Sequence, residues 1–289
     1  MKTTGLAMAA MAGWLWAAAA AGAPAVVDLP REGMALYPEA PAGVAAGDPL
    51  PEYWFPVGEE VEYHVKWMGM TVGIGTSRVG WFEEEDGRRL LEIVVEAESN
   101  GLVEMLYPVT EMLRTVVDPY TFLPLSFEKN SHEGHHHRHE LTEFDHAGGV
   151  ARWKSLIKEK GGEFAIGPET RDLMSQMFWI RREPLKEVGE TRHYELATDN
   201  KPCELFLTAQ KKEKIKLPRY GKMECLKVEP EGKFDGLFMR KGRMWVWMRV
   251  DERYTIARMD ASVPVADIHI VLEEVRGPGD DFWINGKKK

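Results

Sequence analysis

Short runs in which apolar and polar residues alternate, separated by glycine and proline, constrain this chain more than any other feature. Val61-Glu62-Tyr63-His64-Val65-Lys66-Trp67 carries the pattern in full, and residues 91–95, 112–116, 205–208, 244–250 and 269–272 carry weaker forms of it. A period of two sends successive side chains to opposite faces of a strand, so each run is expected to bury one face in a sheet. Gly69, Gly73, Gly75, Gly80, Gly148-Gly149, Gly161-Gly162 and Gly221 punctuate the runs, and Asp86-Gly87 between two of them signals a tight hairpin. Sandwich, closed barrel and half barrel all share this rhythm. The expected fold is mainly β: an antiparallel curved sheet or half barrel built from two related halves, with one amphipathic helix between them.

The two halves rest on an internal echo. Gly58-Glu59-x-x-x-Tyr63 is answered by Gly189-Glu190-x-x-x-Tyr194, Val95-Glu96 by Val228-Glu229, Gly101-Leu102 by Gly236-Leu237, and Asp118-x-Tyr120-Thr121 by Asp251-x-x-Tyr254-Thr255. Order and spacing agree closely, as a duplicated β unit requires; chance recurrence of common turn residues is the alternative. The helix is expected over residues 169–182, where Leu173, Met174, Met177, Phe178 and Ile180 form one stripe. Thr170 would be its N-cap, Asp172 lies in the first turn, Arg181-Arg182 close it and Pro184 follows.

The N-terminus speaks to compartment. Lys2 precedes an uncharged run over residues 5–21, and small residues around Ala21, Ala23 and Ala25 offer cleavage points, which is the pattern of a secretory leader. The run is near the lower limit for a membrane span, and no basic stop-transfer cluster follows, so cleavage is the expected outcome. The organisation expected is a leader over 1–25, a proline- and glycine-rich arm over 26–54, a single β domain over 55–276 with halves at about 55–130 and 186–262, and a tail over 277–289. Tyr53-Trp54-Phe55 would staple the arm to the domain. The mature protein is expected in the periplasm or outside the cell, with no integral membrane segment. A formal charge of −9 removes the attraction that a phosphate backbone needs, so nucleic acid is not an expected partner.

Several of these motifs occur in one order. Gly58-Glu59-x-x-x-Tyr63, Asp118-x-x-Thr121-x-x-Pro124, Phe144-Asp145, Asp172-x-x-Ser175-x-x-Phe178-Trp179-x-Arg181, Gly189 and Val246-Trp247-x-x-x-Asp251 together resemble the bacterial secreted family called domain of unknown function 3108. The resemblance runs from about residue 55 to 275. It implies an extracytoplasmic, mainly β protein and transfers no catalytic residue. The histidine-rich stretch, and Arg258 where a proline would be expected, depart from the family pattern.

That stretch, residues 132–140, holds five of the nine histidines. On a strand, His135, His137 and His139 would share a face and could offer neutral imidazoles to Zn²⁺ or Cu²⁺, with Glu133 or Glu140 as a further ligand or base. A solvated polar hairpin with incidental metal affinity is the alternative. Cys203 and Cys225, on two strand-like runs around a Gly221 hairpin, would form a disulfide in an oxidising compartment or remain a buried reduced pair. Trp245 and Trp247 share a face and could line a groove for acyl chains or sugar rings, or belong to the sheet core. Ser175 lacks the flanking glycines of a nucleophile elbow.

Two classes of function follow. The first is a noncatalytic envelope or binding protein holding apolar or carbohydrate ligands on the concave side of the sheet. The second is a zinc-dependent enzyme acting on an extracellular polysaccharide through the His-rich strand.

Overall fold

The computed structural model describes residues 43–45, 47–198, 201–233, 243–263 and 266–279. The expected leader, most of the arm, Gly236-Leu237 and most of the tail lie outside the described residues. In chain order the elements are β1 (Glu60–Trp67), β2 (Met70–Glu83), β3 (Arg89–Ser99), α1 (Gly101–Leu106), β4 (Val109–Val117), β5 (Pro124–Glu133), β6 (His136–Asp145), β7 (Val150–Ser155) and β8 (Gly161–Ala165). They continue with α2 (Leu173–Trp179), β9 (Thr191–Thr198), β10 (Lys201–Leu217), β11 (Gly221–Lys233), β12 (Arg243–Arg249), β13 (Ile256–Val263) and β14 (Ala266–Arg276). Among the described residues no helix is long and apolar enough to cross a membrane.

All fourteen strands form one antiparallel sheet in the order β8-β7-β6-β5-β4-β3-β2-β1-β14-β13-β12-β11-β10-β9. Each strand pairs with its sequence neighbour except at the centre, where β1 meets β14 from Glu60↔Arg276 to Trp67↔Ile268. The period-two runs therefore form two meanders joined by the ends of the domain. Bulges at Glu62/Tyr63, Val65/Lys66, Val116/Val117, Ala209/Lys211 and Trp247/Met248 add local twist, and a sheet this wide curls rather than staying flat. Its ends approach one another, with β8 touching β10. The free edge of β9 is covered by the chain ahead of α2: the Ala197 N–H donates to the Arg171 carbonyl at 2.8 Å, and Arg171 bridges Leu196 in parallel.

Matching corners of the two meanders carry the same bonds. At Gly58-Glu59, the Gly58 N–H donates to the Val79 carbonyl at 2.8 Å and the Val79 N–H returns to the Glu59 carbonyl at 3.1 Å; at Gly189-Glu190, the Gly189 N–H donates to the Ala209 carbonyl at 2.8 Å and the Ala209 N–H returns to the Glu190 carbonyl at 2.9 Å. Both glycines have positive φ, 98° and 89°, where a side chain would be strained. Asp118 and Asp251 each cap a turn by accepting two backbone N–H bonds, from Tyr120 and Thr121 in one case and Arg253 and Tyr254 in the other.

Helix α2 lies on the inner face and is shorter than residues 169–182. Its N-cap is Asp172, not Thr170: one Asp172 oxygen accepts the Met174 and Ser175 N–H groups at 2.8 and 3.2 Å, while the Thr170 hydroxyl is used earlier, accepting the Gly167 N–H. Asp172 also takes the Thr115 hydroxyl at 2.9 Å and the Ser175 hydroxyl at 2.5 Å, which ties the helix to β4. A second short helix, α1, which the alternation did not suggest, makes the connection from β3 to β4. Met174, Phe178 and Met177 then join two core clusters. One is built on Leu91, Ile93, Leu113 and Phe127 from the first meander, the other on Leu207, Leu226, Met248 and Ile270 from the second. Tyr53, Trp54 and Phe55 pack onto the first, with the Trp54 indole donating to the Phe178 carbonyl at 2.7 Å. A third cluster lies on the opposite face, where the tip of the long β10–β11 hairpin folds back and the Tyr220 hydroxyl accepts the Val275 N–H at 2.8 Å.

Arg181, just past α2, turns inward. Its guanidinium donates to both oxygens of Glu59 at 2.8 and 3.3 Å and to the Arg253 carbonyl at 2.8 Å, and both charged side chains are buried. The pair thus joins the helix to the first corner of one meander and a turn of the other. Removing one partner strands a buried charge, so Glu59→Gln should lower stability by about 3–5 kcal/mol in urea unfolding. The Glu59→Gln/Arg181→Met double variant should cost less than the two single variants added together; simple additivity would mean the groups are not coupled.

Candidate functional site

Between α2 and the inner face of β1, β2, β3, β13 and β14 lies a cavity of about 110 Å³. Val65, Val95, Met174, Met177, Met259 and Ile270 supply apolar walls, and the Glu59–Arg181 pair and Thr255 supply polar groups. Across the floor the register runs Tyr63↔Gly75↔Ala97, so two of three neighbouring inward positions carry almost no side chain. Gly75 is not demanded by its backbone: a Cβ there would meet only the Glu96 carbonyl at 3.7 Å and the Ala97 Cβ at 4.0 Å, ordinary contact distances. Gly73 differs, since a Cβ would come within 2.8 Å of the Glu98 carbonyl. The space above Gly75 is therefore left open by residue choice.

The polar groups of the cavity are mostly engaged. Tyr63 donates to the Ile256 carbonyl at 3.0 Å, and burial pushes its hydroxyl above the ordinary phenol range, which keeps it neutral. Glu59 is held by Arg181 and has Arg253 3.7 Å away. The buried Thr255 hydroxyl has no hydrogen-bond partner among the described residues. Such a site can enclose an apolar group and offer it one hydroxyl. Of these residues, Glu59 was visible in the sequence in the Gly-Glu echo and Arg181 as a charge at the helix end, both also within the family motifs, but nothing in the sequence paired them.

The residues singled out from sequence lie elsewhere. Trp245 and Trp247 do share a face, but it is the one opposite α2. Trp247 is buried there, its indole donates to Glu213 at 2.7 Å, and Lys227 sits 4.4 and 4.9 Å from the Trp245 and Trp247 ring centres. The histidine stretch is a hairpin, not one strand. Gly134 has φ 58°, and Gly134-His135 form the turn, so His135 does not share a strand face with His137 and His139. His137 bonds Asn130 at 3.1 Å and His139 bonds Glu128 at 2.7 Å, while His132 stacks on His137. Among the described residues no three His, Cys, Asp or Glu side chains converge as a metal site, which corrects the His135, His137, His139 set.

The disulfide expectation is corrected too. Neither cysteine is in a disulfide, and both are buried. The hairpin around Gly221 sets Cys225 opposite Glu213, while Cys203 lies near the start of the same long β10, roughly 30 Å along the strand and far outside disulfide reach.

A family model described as "Protein of unknown function (DUF3108)" matches residues 62–273, and the chain belongs to that family. None of the curated proteins compared with it matches. Among solved structures, a β-barrel-like protein of domain of unknown function DUF1849 from Brucella abortus is similar at 9% identity and a TM-score of 0.49, covering 76% of this chain and 97% of that one. A DUF1089 family protein from Pseudomonas aeruginosa is similar at 13% identity and a TM-score of 0.32, covering 65% of this chain and 89% of that one. Likenesses this distant carry no functional argument.

Burial pushes the Cys225 thiol up to about 12, so at neutral pH it is protonated and poorly nucleophilic. In protein purified without reductant, both cysteines should take up an alkylating reagent after unfolding, and Cys225 should resist it in the native state. A single mass shift of zero on unfolding without reductant would show the pair to be bonded after all.

Proposed function

We propose that this DUF3108 protein is a noncatalytic, extracytoplasmic binding protein that holds an apolar ligand in the cavity beneath α2. The observation that carries the reading is Gly75. A glycine inside a strand costs roughly 0.5–1 kcal/mol against alanine, and here no backbone contact requires it. Its effect is to keep volume empty on an otherwise apolar inner face, which is how pre-formed ligand pockets are built. Met174 and Met177 form the opposite wall, and their unbranched side chains can move aside for a ring or chain larger than the resting space. The carboxylate at the cavity is neutralised by Arg181, which leaves it a structural partner and not a free base.

The leader pattern of residues 1–25 supports a location beyond the cytoplasmic membrane. Apolar material is favoured over carbohydrate because the cavity has few hydrogen-bonding groups, and because Trp247, the aromatic suited to a sugar ring, is covered on the far face.

Replacing Gly75 by valine fills the space with a residue that suits a strand. With a fluorescent naphthylamine probe, the mature wild-type protein should show saturable binding. Gly75→Val should weaken it at least about tenfold, equivalent to 1.4 kcal/mol, with an unfolding midpoint equal to or above wild type. Unchanged binding by a folded Gly75→Val protein would place the ligand elsewhere.

A further inference from the structure

The β5–β6 hairpin places two histidines where the histidine-rich sequence did not suggest. Its two-residue turn has glycine first, with positive φ, and fixes the register Glu133↔His136, His132↔His137, Ser131↔Arg138 and Asn130↔His139. In such a hairpin the residues flanking the turn exchange hydrogen bonds, and the next pair inward does not. That next pair is His132 and His137, whose Cα atoms then stand closest, about 4.5 Å apart. Their imidazoles already face each other, with ring centres 3.8 Å apart and planes 18° from parallel. Both are exposed. On the outer face beside them a groove of about 420 Å³ runs across β2 to β5, and Glu96, Glu98, Asn130 and His132 line it.

We propose that His132 and His137 together bind one divalent transition-metal cation on the outer face of the sheet, Cu²⁺ more tightly than Zn²⁺. Neutral imidazoles bind these ions at about 2.0–2.1 Å, and the two rings, facing each other across a non-hydrogen-bonded pair, can turn about their side-chain bonds to aim one nitrogen each at a shared point, His137 giving up its 3.1 Å bond to Asn130 where Nε2 is the ligand. Nitrogen donors follow the order that puts Cu²⁺ above Zn²⁺, and Glu98, in the same cross-strand row as Thr110, His132 and His137, adds a carboxylate whose field favours a cation, whereas Glu96 is paired with Arg78. His135, in the turn, is not a ligand. Two protein ligands leave the remaining positions of the ion to water or to a second molecule, so the site binds a metal without enclosing it. It is independent of the cavity beneath α2, which lies on the other face.

The test is isothermal titration of the mature, untagged protein with CuCl₂ and separately with ZnCl₂, in a buffer that does not chelate. One Cu²⁺ per chain is expected, bound more tightly than Zn²⁺. His132→Ala and His137→Ala should each weaken Cu²⁺ binding at least about tenfold, whereas His135→Ala should leave it unchanged. Because all three side chains are exposed, far-ultraviolet circular dichroism should show each variant folded as wild type. Absence of binding by wild type, equal binding by the His132→Ala protein, or a loss on His135→Ala as large as that on His137→Ala would each overturn the proposal.

Discussion

The bidentate pair of Glu59 with Arg181 is the contact on which the arrangement depends. A wide antiparallel sheet made of two meanders has no local reason to hold its halves at one curvature, since each strand pairs only with its neighbours. Arg181 supplies a reason: from the end of α2 it reaches the corner before β1 and the carbonyl of Arg253, at the turn between β12 and β13. The helix is fixed at its other end by Asp172 and Thr115 to β4. Clamped at both ends, α2 stands across the inner face as a strut. The apolar clusters of the two meanders close around it, and the space above Gly75 is what that strut leaves unfilled.

A buried ion pair is a costly way to obtain stability, because desolvation cancels much of the attraction. Its value here is positional. A hydrophobic contact would tolerate sliding of the helix, whereas a planar guanidinium facing a carboxylate admits one orientation. Phe55 and Phe178 lie 5.7 and 5.2 Å from the Arg181 guanidinium and exclude water from it, which sharpens the same constraint.

What was legible in the sequence follows the range of the forces involved. Strand runs, the Asp86-Gly87 turn and the existence of a helix near residue 175 are local, and the period of the side chains reports them. The corners at Gly58 and Gly189 were also visible, because positive φ leaves a glycine signature. The helix N-cap was misplaced by two residues, since Thr170 and Asp172 are both good caps and only the tertiary partner Thr115 distinguishes them. The cysteine pairing failed on the length of the β10–β11 hairpin, which pairs from Glu204↔Lys233 to Leu217↔Gly221 and sets Cys225 opposite Glu213, far from Cys203 at the start of β10. The histidine face failed on a single residue: Gly134 converts a continuous strand into a turn and moves the facing pair from His135 and His137 to His132 and His137. The cavity itself left a faint mark, a glycine at an inward strand position, which cannot be told from turn punctuation without knowing which way the strand faces.

The central claim is that the interior beneath α2 is an open, apolar space and not a defect closed by its neighbours. Crystals of the mature protein under xenon pressure test it directly, because xenon partitions into dry apolar cavities. The account predicts xenon density bounded by Gly75, Ala97 and Met177. A xenon-free interior, with Met174 and Met177 folded down onto Gly75, would contradict it.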